Sequence, residues 1–251
     1  MTSADKSKGP VVCQRPTWLR RSDCRQCEIF NQVIFSGLSA DDVEDIVNGI
    51  YEPIDEFQYE AGAVLYEQGD RDHAVYTIRK GLVKAVRYQS NGAERIIRLH
   101  RRGDSIGLER LLGRPYGHTA VVLRDAEVCR IPIETLQRLD AEKARFYRGL
   151  MQRWAEGLFQ ADDYIMLILS GTVRERVAHL IAWLADVTGD PRRHEVELLS
   201  GKDLSAMLDV TAESISRTLA DLKRRGVLQQ VQGERYHYDP DALERYAREG
   251  A

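Results

Sequence analysis

Four cysteines are the residues of this chain whose type and spacing can support inorganic chemistry: Cys13, Cys24, Cys27 and Cys129. Cys24-Arg-Gln-Cys27 is a CxxC pair, a spacing used by zinc sites and by thiol–disulfide couples. Cys129 stands in the strand-like run Glu127-Val-Cys129-Arg-Ile-Pro132, where a cysteine can also serve as a small buried hydrophobe. No apolar run is long enough for a membrane span, and the first thirty residues are basic and lack the apolar core of a secretory signal. These features predict a cytoplasmic protein with no membrane partner, a setting in which cysteines bind metal or sense redox rather than form structural disulfides. The six histidines show no metal-ligand spacing. No nucleophile–base pair or phosphate-cradling loop is present, so no enzyme is expected.

A second set of residues can read DNA. Ser200-Gly-Lys202-Asp203 has capping-box chemistry, and the helix it opens would bury Leu204, Met207 and Leu208. Asp209-Val-Thr211 is a tight connection, and Thr211 caps a second helix from about Ala212 to Arg225 with Ile215, Leu219 and Leu222 inward. Two helices joined by so short a turn form a helix-turn-helix, whose second helix enters the major groove. Its exposed first turns carry Glu213, Ser214, Ser216 and Arg217. Arginine can take guanine O6 and N7 together, and glutamate can accept from cytosine N4. Lys202, Thr211 and Arg235 are the further DNA-contact candidates. Lys223, Arg224 and Arg225 either cap the helix end or reach phosphates. Val227 through Tyr238, with a turn at Gln232-Gly233, reads as a wing.

The formal net charge of −3 gives no global sign of nucleic-acid binding, so any footprint must be local. Hydrophobic residues at 43% and charged residues at 30% suit a well-cored protein, and the length allows two ordinary domains. Residues 1–30 form a polar, cysteine-containing arm. Residues 31–135 predict a sensory β-roll: Ser39 caps a short helix, and short β-branched runs such as Val75–Ile78, Leu82–Val86 and Arg95–Leu99 come after it, broken by turns at Lys80-Gly81 and Asn91-Gly92. Residues 136–170 predict a long dimerisation helix, with Trp154, Gly157, Ala161, Ile165 and Ile168 as its seam. The alternative is a helix lying on its own roll. Residues 171–251 complete a winged helix-turn-helix domain, with a helix from Val173 burying Val177, Leu180, Ile181 and Leu184. The fold class is therefore α+β, with an antiparallel roll, a dimer helix and a winged helix.

That order resembles the cyclic-AMP-receptor/fumarate-nitrate-regulator (CRP/FNR) superfamily over roughly residues 24–249. The resemblance rests on Tyr76-Thr-Ile-Arg-Lys-Gly81-Leu-Val-Lys, Gly103-Asp104-Ser-Ile-Gly107 and Val210-Thr-Ala-Glu213-Ser-Ile-Ser216-Arg217. The nucleotide-binding branch carries a Gly-Glu pair and an Arg-Ser/Thr pair, where this chain has Gly107-Leu108 and His118-Thr119. Neutral histidine cannot replace the bidentate arginine–phosphate contact, so no cyclic nucleotide is expected, although Glu109 stands one residue from the ribose position. Glu213, Ser216 and Arg217 match the Glu-x-x-Ser-Arg pattern of the FNR branch, which implies a palindrome resembling TTGAT-N4-ATCAA. The resemblance also implies a [4Fe–4S] cluster on Cys24, Cys27 and Cys129. Val33 stands where that family has another ligand, leaving Cys13 as the fourth thiolate. A reversible cysteine disulfide, another small effector, or zinc remain alternatives. The homodimer, double-stranded promoter DNA and RNA polymerase, the last through Ser90–Glu94, are the implied partners. A roll whose helix-turn-helix docks protein is the reading from another class.

Overall fold

The computed structural model describes residues 15–35, 38–142 and 144–249. The chain divides into two compact units, one formed by residues up to 87 together with 97–153, the other by 88–96 together with 154 onward.

The first unit contains β1 (Thr17–Arg21), α1 (Ala40–Val47), β2 (Asp55–Tyr59), β3 (Val64–Tyr66), most of β4 (Ala74–Tyr88) and of β5 (Glu94–His100), then β6 (Ser105–Ile106), β7 (Thr119–Pro132) and α2 (Ile133–Glu142). The strands form one sheet in the order β1-β2-β7-β4-β5, with β3 added to β7 and β6 to β4. The path is open rather than closed on itself. Strand β1 pairs antiparallel with β2, β6 with β4, and β2, β3 and β4 with β7; the antiparallel pairing is what the glycine-punctuated runs predict, while β1 falls in the segment read as a polar arm. Ser39 caps α1 as expected: its hydroxyl accepts from the Asp42 N–H and the Asp42 carboxylate accepts from the Ser39 N–H.

Gly81 departs from the sequence reading. Lys80-Gly81 is not a turn but a bulge inside β4, a single strand of fifteen residues. Gly81 has φ +91°, and a Cβ there would lie 2.3 Å from the Asp125 carbonyl oxygen of β7. The glycine lets two strands approach while the strand runs on, so the sheet stays continuous past it.

The stretch predicted as a helix over 136–170 is helical through α2 and through α3 (Ala144–Asp163), between which residue 143 lies outside the described residues, and ends in a π-turn, Tyr164–Ile168. Leu136, Leu139 and Phe146 are fully buried in one cluster with Ile131, Ile34 and Val75. This first stretch covers its own sheet, so the reading of a helix lying on its roll holds here.

The second unit holds the remainder of α3, then α4 (Val173–Thr188), β8 (Glu195–Glu197), α5 (Gly201–Leu208), α6 (Ala212–Arg224), β9 (Leu228–Gln232), β10 (Arg235–Tyr238) and α7 (Pro240–Arg248). Val177, Leu180, Ile181 and Leu184 are buried as the periodicity requires. Thr172 caps α4 through a full capping box with Glu175. The wing hairpin gains β8 as a third strand, in the order β8-β10-β9.

Candidate DNA-reading helix and cysteine pocket

Helices α5 and α6 are joined by three residues. Asp209 ends α5 in a left-handed conformation, φ 56° and ψ 48°, which aspartate tolerates better than most residues. Thr211 caps α6, its hydroxyl accepting from the Ser214 N–H at 3.2 Å. At the start of α5 the Ser200 hydroxyl accepts from the Asp203 N–H, while the Asp203 carboxylate accepts from that same hydroxyl at 2.6 Å. Ile215, Thr218 and Leu222 turn inward, which leaves Glu213, Ser216 and Arg217 on the outer face. The Arg217 side chain is 73% exposed and its guanidinium lies 3.6 Å from Glu213, an i,i+4 pair that water screens and DNA can displace. Lys202 and Arg235 are exposed, with Arg235 4.0 Å from Glu195, whereas Ser214 is half-buried and its hydroxyl meets that of Thr211.

The basic trio at the end of α6 is engaged within the fold. Lys223 Nζ donates to the Tyr236 hydroxyl at 2.9 Å and lies over that ring. Arg224 pairs with Asp221, and Arg225 with both Asp221 and Glu249. Of the two roles open to these residues from sequence, anchoring the helix end is the one the contacts support.

The dimer-seam candidates separate. Trp154 and Ile165 are exposed, Gly157 and Ala161 are half-buried, and Ile168 is 1% exposed, packed inside its own chain. Ile168 is therefore not available to a seam. The wider i→i+5 spacing of the π-turn takes it off the stripe that an uninterrupted α-helix would have continued. Of the exposed apolar positions, Tyr147, Met151, Trp154, Leu158 and Ile165 form one stripe, with Ala161 between the last two, while Phe159 and Met166 are exposed off it. Those steps alternate four and three residues, the spacing of a heptad seam. Tyr164, at the turn, donates its hydroxyl to the Met207 carbonyl of α5 at 2.6 Å.

Cys24 begins a single 3₁₀ turn capped by the Asp23 carboxylate, Cys27 comes directly after it, and Cys129 lies toward the end of β7. Although Cys129 is separated from the other two by more than a hundred residues, the three line one pocket with Ile29, Phe30, Val33 and Ile54. A buried polar cluster adjoins the sulfurs. Glu56, opposite Cys129 in the β2–β7 register, accepts from Arg79 at 2.7 Å and Ser22 at 3.0 Å on one oxygen, and from Arg20 at 2.9 Å on the other. Arg79 Nη1 also lies 3.9 Å from Cys129 Sγ and 4.0 Å from Cys27 Sγ, and the Ser22 hydroxyl 3.5 Å from Cys129 Sγ. Burial pushes the Cys24 thiol up to about 12, and the neighbouring Cys129 and Cys27 add to it. Burial also raises Cys129, against the pull of Ser22 and Arg79.

These donors fit an iron–sulfur group in type and in convergence, with three of the four thiolates present. Cys13, the fourth candidate, lies outside the described residues, and buried Val33 offers no donor atom. Among the described residues no three His, Cys, Asp or Glu side chains stand close enough to share one metal ion. A cluster makes a different demand, because each thiolate binds its own iron. Sequence reasoning gave Arg79, Glu56 and Ser22 no role; Arg79 lies within the Tyr76–Lys84 run that carries the family resemblance, whereas no motif marks Glu56 or Ser22.

In the roll, His118 Nε2 and the Tyr66 hydroxyl are 2.8 Å apart, and His118 stacks against His100 with ring centroids 6.2 Å apart. Burial lowers the proton affinity of both histidines. Glu109 accepts from the Gly117 N–H at 2.9 Å, so its carboxylate is occupied in holding the loop before His118.

Two family models match. Residues 56–143 match a cyclic nucleotide-binding domain and residues 175–246 a Crp-like helix-turn-helix domain. The chain belongs to the CRP/FNR family. That is a family of transcription regulators rather than enzymes. The regulator is 29% identical over 212 residues to the fumarate and nitrate reduction regulatory protein of Escherichia coli K12, covering 82% of each chain. It is 27% identical over 216 residues to the anaerobic regulatory protein of Aggregatibacter actinomycetemcomitans, covering 84% of this chain and 82% of that one. Its fold matches FixK2 of Bradyrhizobium japonicum with a TM-score of 0.70 at 24% identity, over 77% of this chain and 96% of that one. A CRP-family transcriptional regulator of Thermus thermophilus matches with a TM-score of 0.65 at 26% identity, over 76% and 96% of the two chains. The regulator binds DNA through its helix-turn-helix, and among its described residues no helix is long and apolar enough to cross a membrane.

Proposed function

We propose that this regulator is a cytoplasmic, FNR-like homodimer that responds to oxygen or redox state through an iron–sulfur centre and reads a TTGAT-N4-ATCAA-like palindrome. The observation that carries the sensing role is the convergence of Cys24, Cys27 and Cys129 on one largely apolar pocket. The names of its curated relatives point toward anaerobic regulation. Cys24, Cys27 and Cys129 would hold a [4Fe–4S] group, with Cys13 as the fourth ligand, and the group would supply reactivity toward oxygen when bound. A plain dithiol switch at the same cysteines is the alternative reading.

The protein's own residues do the rest. Arg217 and Glu213 meet base edges, and the Ser216 hydroxyl completes the contact face. Thr211, Ser214, Lys202 and Arg235 position the helix and wing on the backbone. The stripe from Tyr147 to Ile165 pairs two chains, which matches a two-fold operator. The hairpin at Ser90–Glu94, exposed from Ser90 to Ala93, is the segment that would meet RNA polymerase. Cyclic nucleotides are not the effector on this reading, since His118 is hydrogen-bonded to Tyr66 where an arginine would meet the phosphate. Strictly anaerobic purification followed by iron and acid-labile sulfide assay tests the proposal. About four of each per chain is the expected result. Their absence would overturn it.

A further inference from the structure

We propose that Arg79 is a positioning residue for the cysteine pocket, holding the Cys27 and Cys129 sulfurs toward each other and offsetting the negative charge they carry when metallated. This role rests on the proposed cluster but also concerns the thiols themselves.

Arg79 enters from β4, a strand neighbouring the one that carries Cys129. Its side chain is 17% exposed, and Nη1 alone reaches the Glu56 carboxylate and both sulfurs. Glu56 is 2% exposed and clamps the guanidinium from behind, so the planar group cannot swing away without leaving a buried carboxylate short of a partner. Cys27 and Cys129 come from segments far apart in the chain. A donor that touches both sulfurs fixes their separation. Thiolate-bound centres carry net negative charge, and hydrogen bonds to sulfur are among the means by which a protein tunes them. Without Arg79, the Glu56 oxygen it binds would keep only the Ser22 hydroxyl, with Arg20 on the far oxygen.

Arg20 provides the control. It binds the other oxygen of Glu56 at 2.9 Å and is not among the groups bonded to a cysteine sulfur. If Arg79 acted only by neutralising Glu56, removing Arg20 would reproduce much of its effect.

The test compares wild type, Arg79→Gln, Arg79→Lys and Arg20→Gln in two arms, with thermal unfolding to confirm that each chain is folded. The first arm measures iron, sulfide and visible absorbance after anaerobic purification. Arg79→Gln is expected to retain less than half of the wild-type iron, Arg79→Lys to recover part of it, and Arg20→Gln to stay close to wild type. The second arm titrates the reduced, metal-free chains with cobalt(II) and follows the sulfur-to-cobalt charge-transfer band, where Arg79→Gln should weaken binding about tenfold. Wild type that holds no iron but binds cobalt with this Arg79 dependence would sink the cluster reading and leave Arg79 in its role. Arg79→Gln matching either wild type or Arg20→Gln in both arms would overturn the inference, and wild type that binds neither metal would overturn both.

Discussion

Arg217→Ala is expected to weaken binding to a TTGAT-N4-ATCAA duplex by about 30-fold or more while leaving the unfolding midpoint unchanged. One good bidentate contact discriminates by about 1–3 kcal/mol, and a dimer on a palindrome makes each contact twice. The folded state loses little, because the side chain is 73% exposed and its ion pair with Glu213 is screened by solvent. Fluorescence anisotropy at fixed ionic strength measures the loss, with a scrambled duplex reporting the sequence-independent part. Lys223→Ala is the informative contrast. It removes a bond to Tyr236 inside the fold, so it should lower stability and leave discrimination between the two duplexes intact. Arg217→Ala that keeps both affinity and discrimination would show that α6 does not read bases.

Leu158→Glu should dissociate the dimer at micromolar concentration and, with it, abolish binding to the full palindrome. Leu158 is 62% exposed in the single chain and lies at the middle of the stripe Tyr147, Met151, Trp154, Leu158, Ala161 and Ile165. Glutamate there would place two like charges in an apolar seam, losing the burial and adding desolvation that nothing offsets. Gln160→Glu adds the same charge nearly opposite on the helix and should leave assembly unchanged. Sedimentation velocity separates monomer from dimer. A Leu158→Glu chain that still sediments as the dimer would place the interface elsewhere.

The reading head was legible because its signals are local. Thr211 and Ser200 cap, Leu204, Met207, Leu208, Ile215 and Leu222 recur with helical period, and Gly226 ends the helix with φ 73°. Tertiary pairing decided what sequence could not. Lys80-Gly81 has turn chemistry, yet the approach of Asp125 from β7 makes it a bulge. Ile168 continues the seam on paper, and a π-turn places it in the core. The cysteines were visible as types and as one CxxC, but their shared pocket depends on β2 and β7 pairing in register. Arg79, Glu56 and Ser22 lie in separate segments with nothing in their immediate neighbours to link them. Strand β8 and helix α7 went unpredicted, although α7 carries a start signal in Asp239, which caps it just before Pro240.

Among the described residues the edge strand β1, its five positions all at the surface, pairs with β2 alone. Its hold on the sheet is the β1–β2 ladder with the Trp18–Asp55 and Arg20–Glu56 bonds, continued by Ser22 and then Cys24 in the pocket. Arg20, Arg21 and Arg25 are all surface residues along that segment, each a site for trypsin, whereas the bond after Arg15 leads into Pro16 and resists it. Digestion of this stretch thus becomes a gauge of the pocket's contents, slow when the thiols are ligated and fast when they are released, with no need to assay DNA at all.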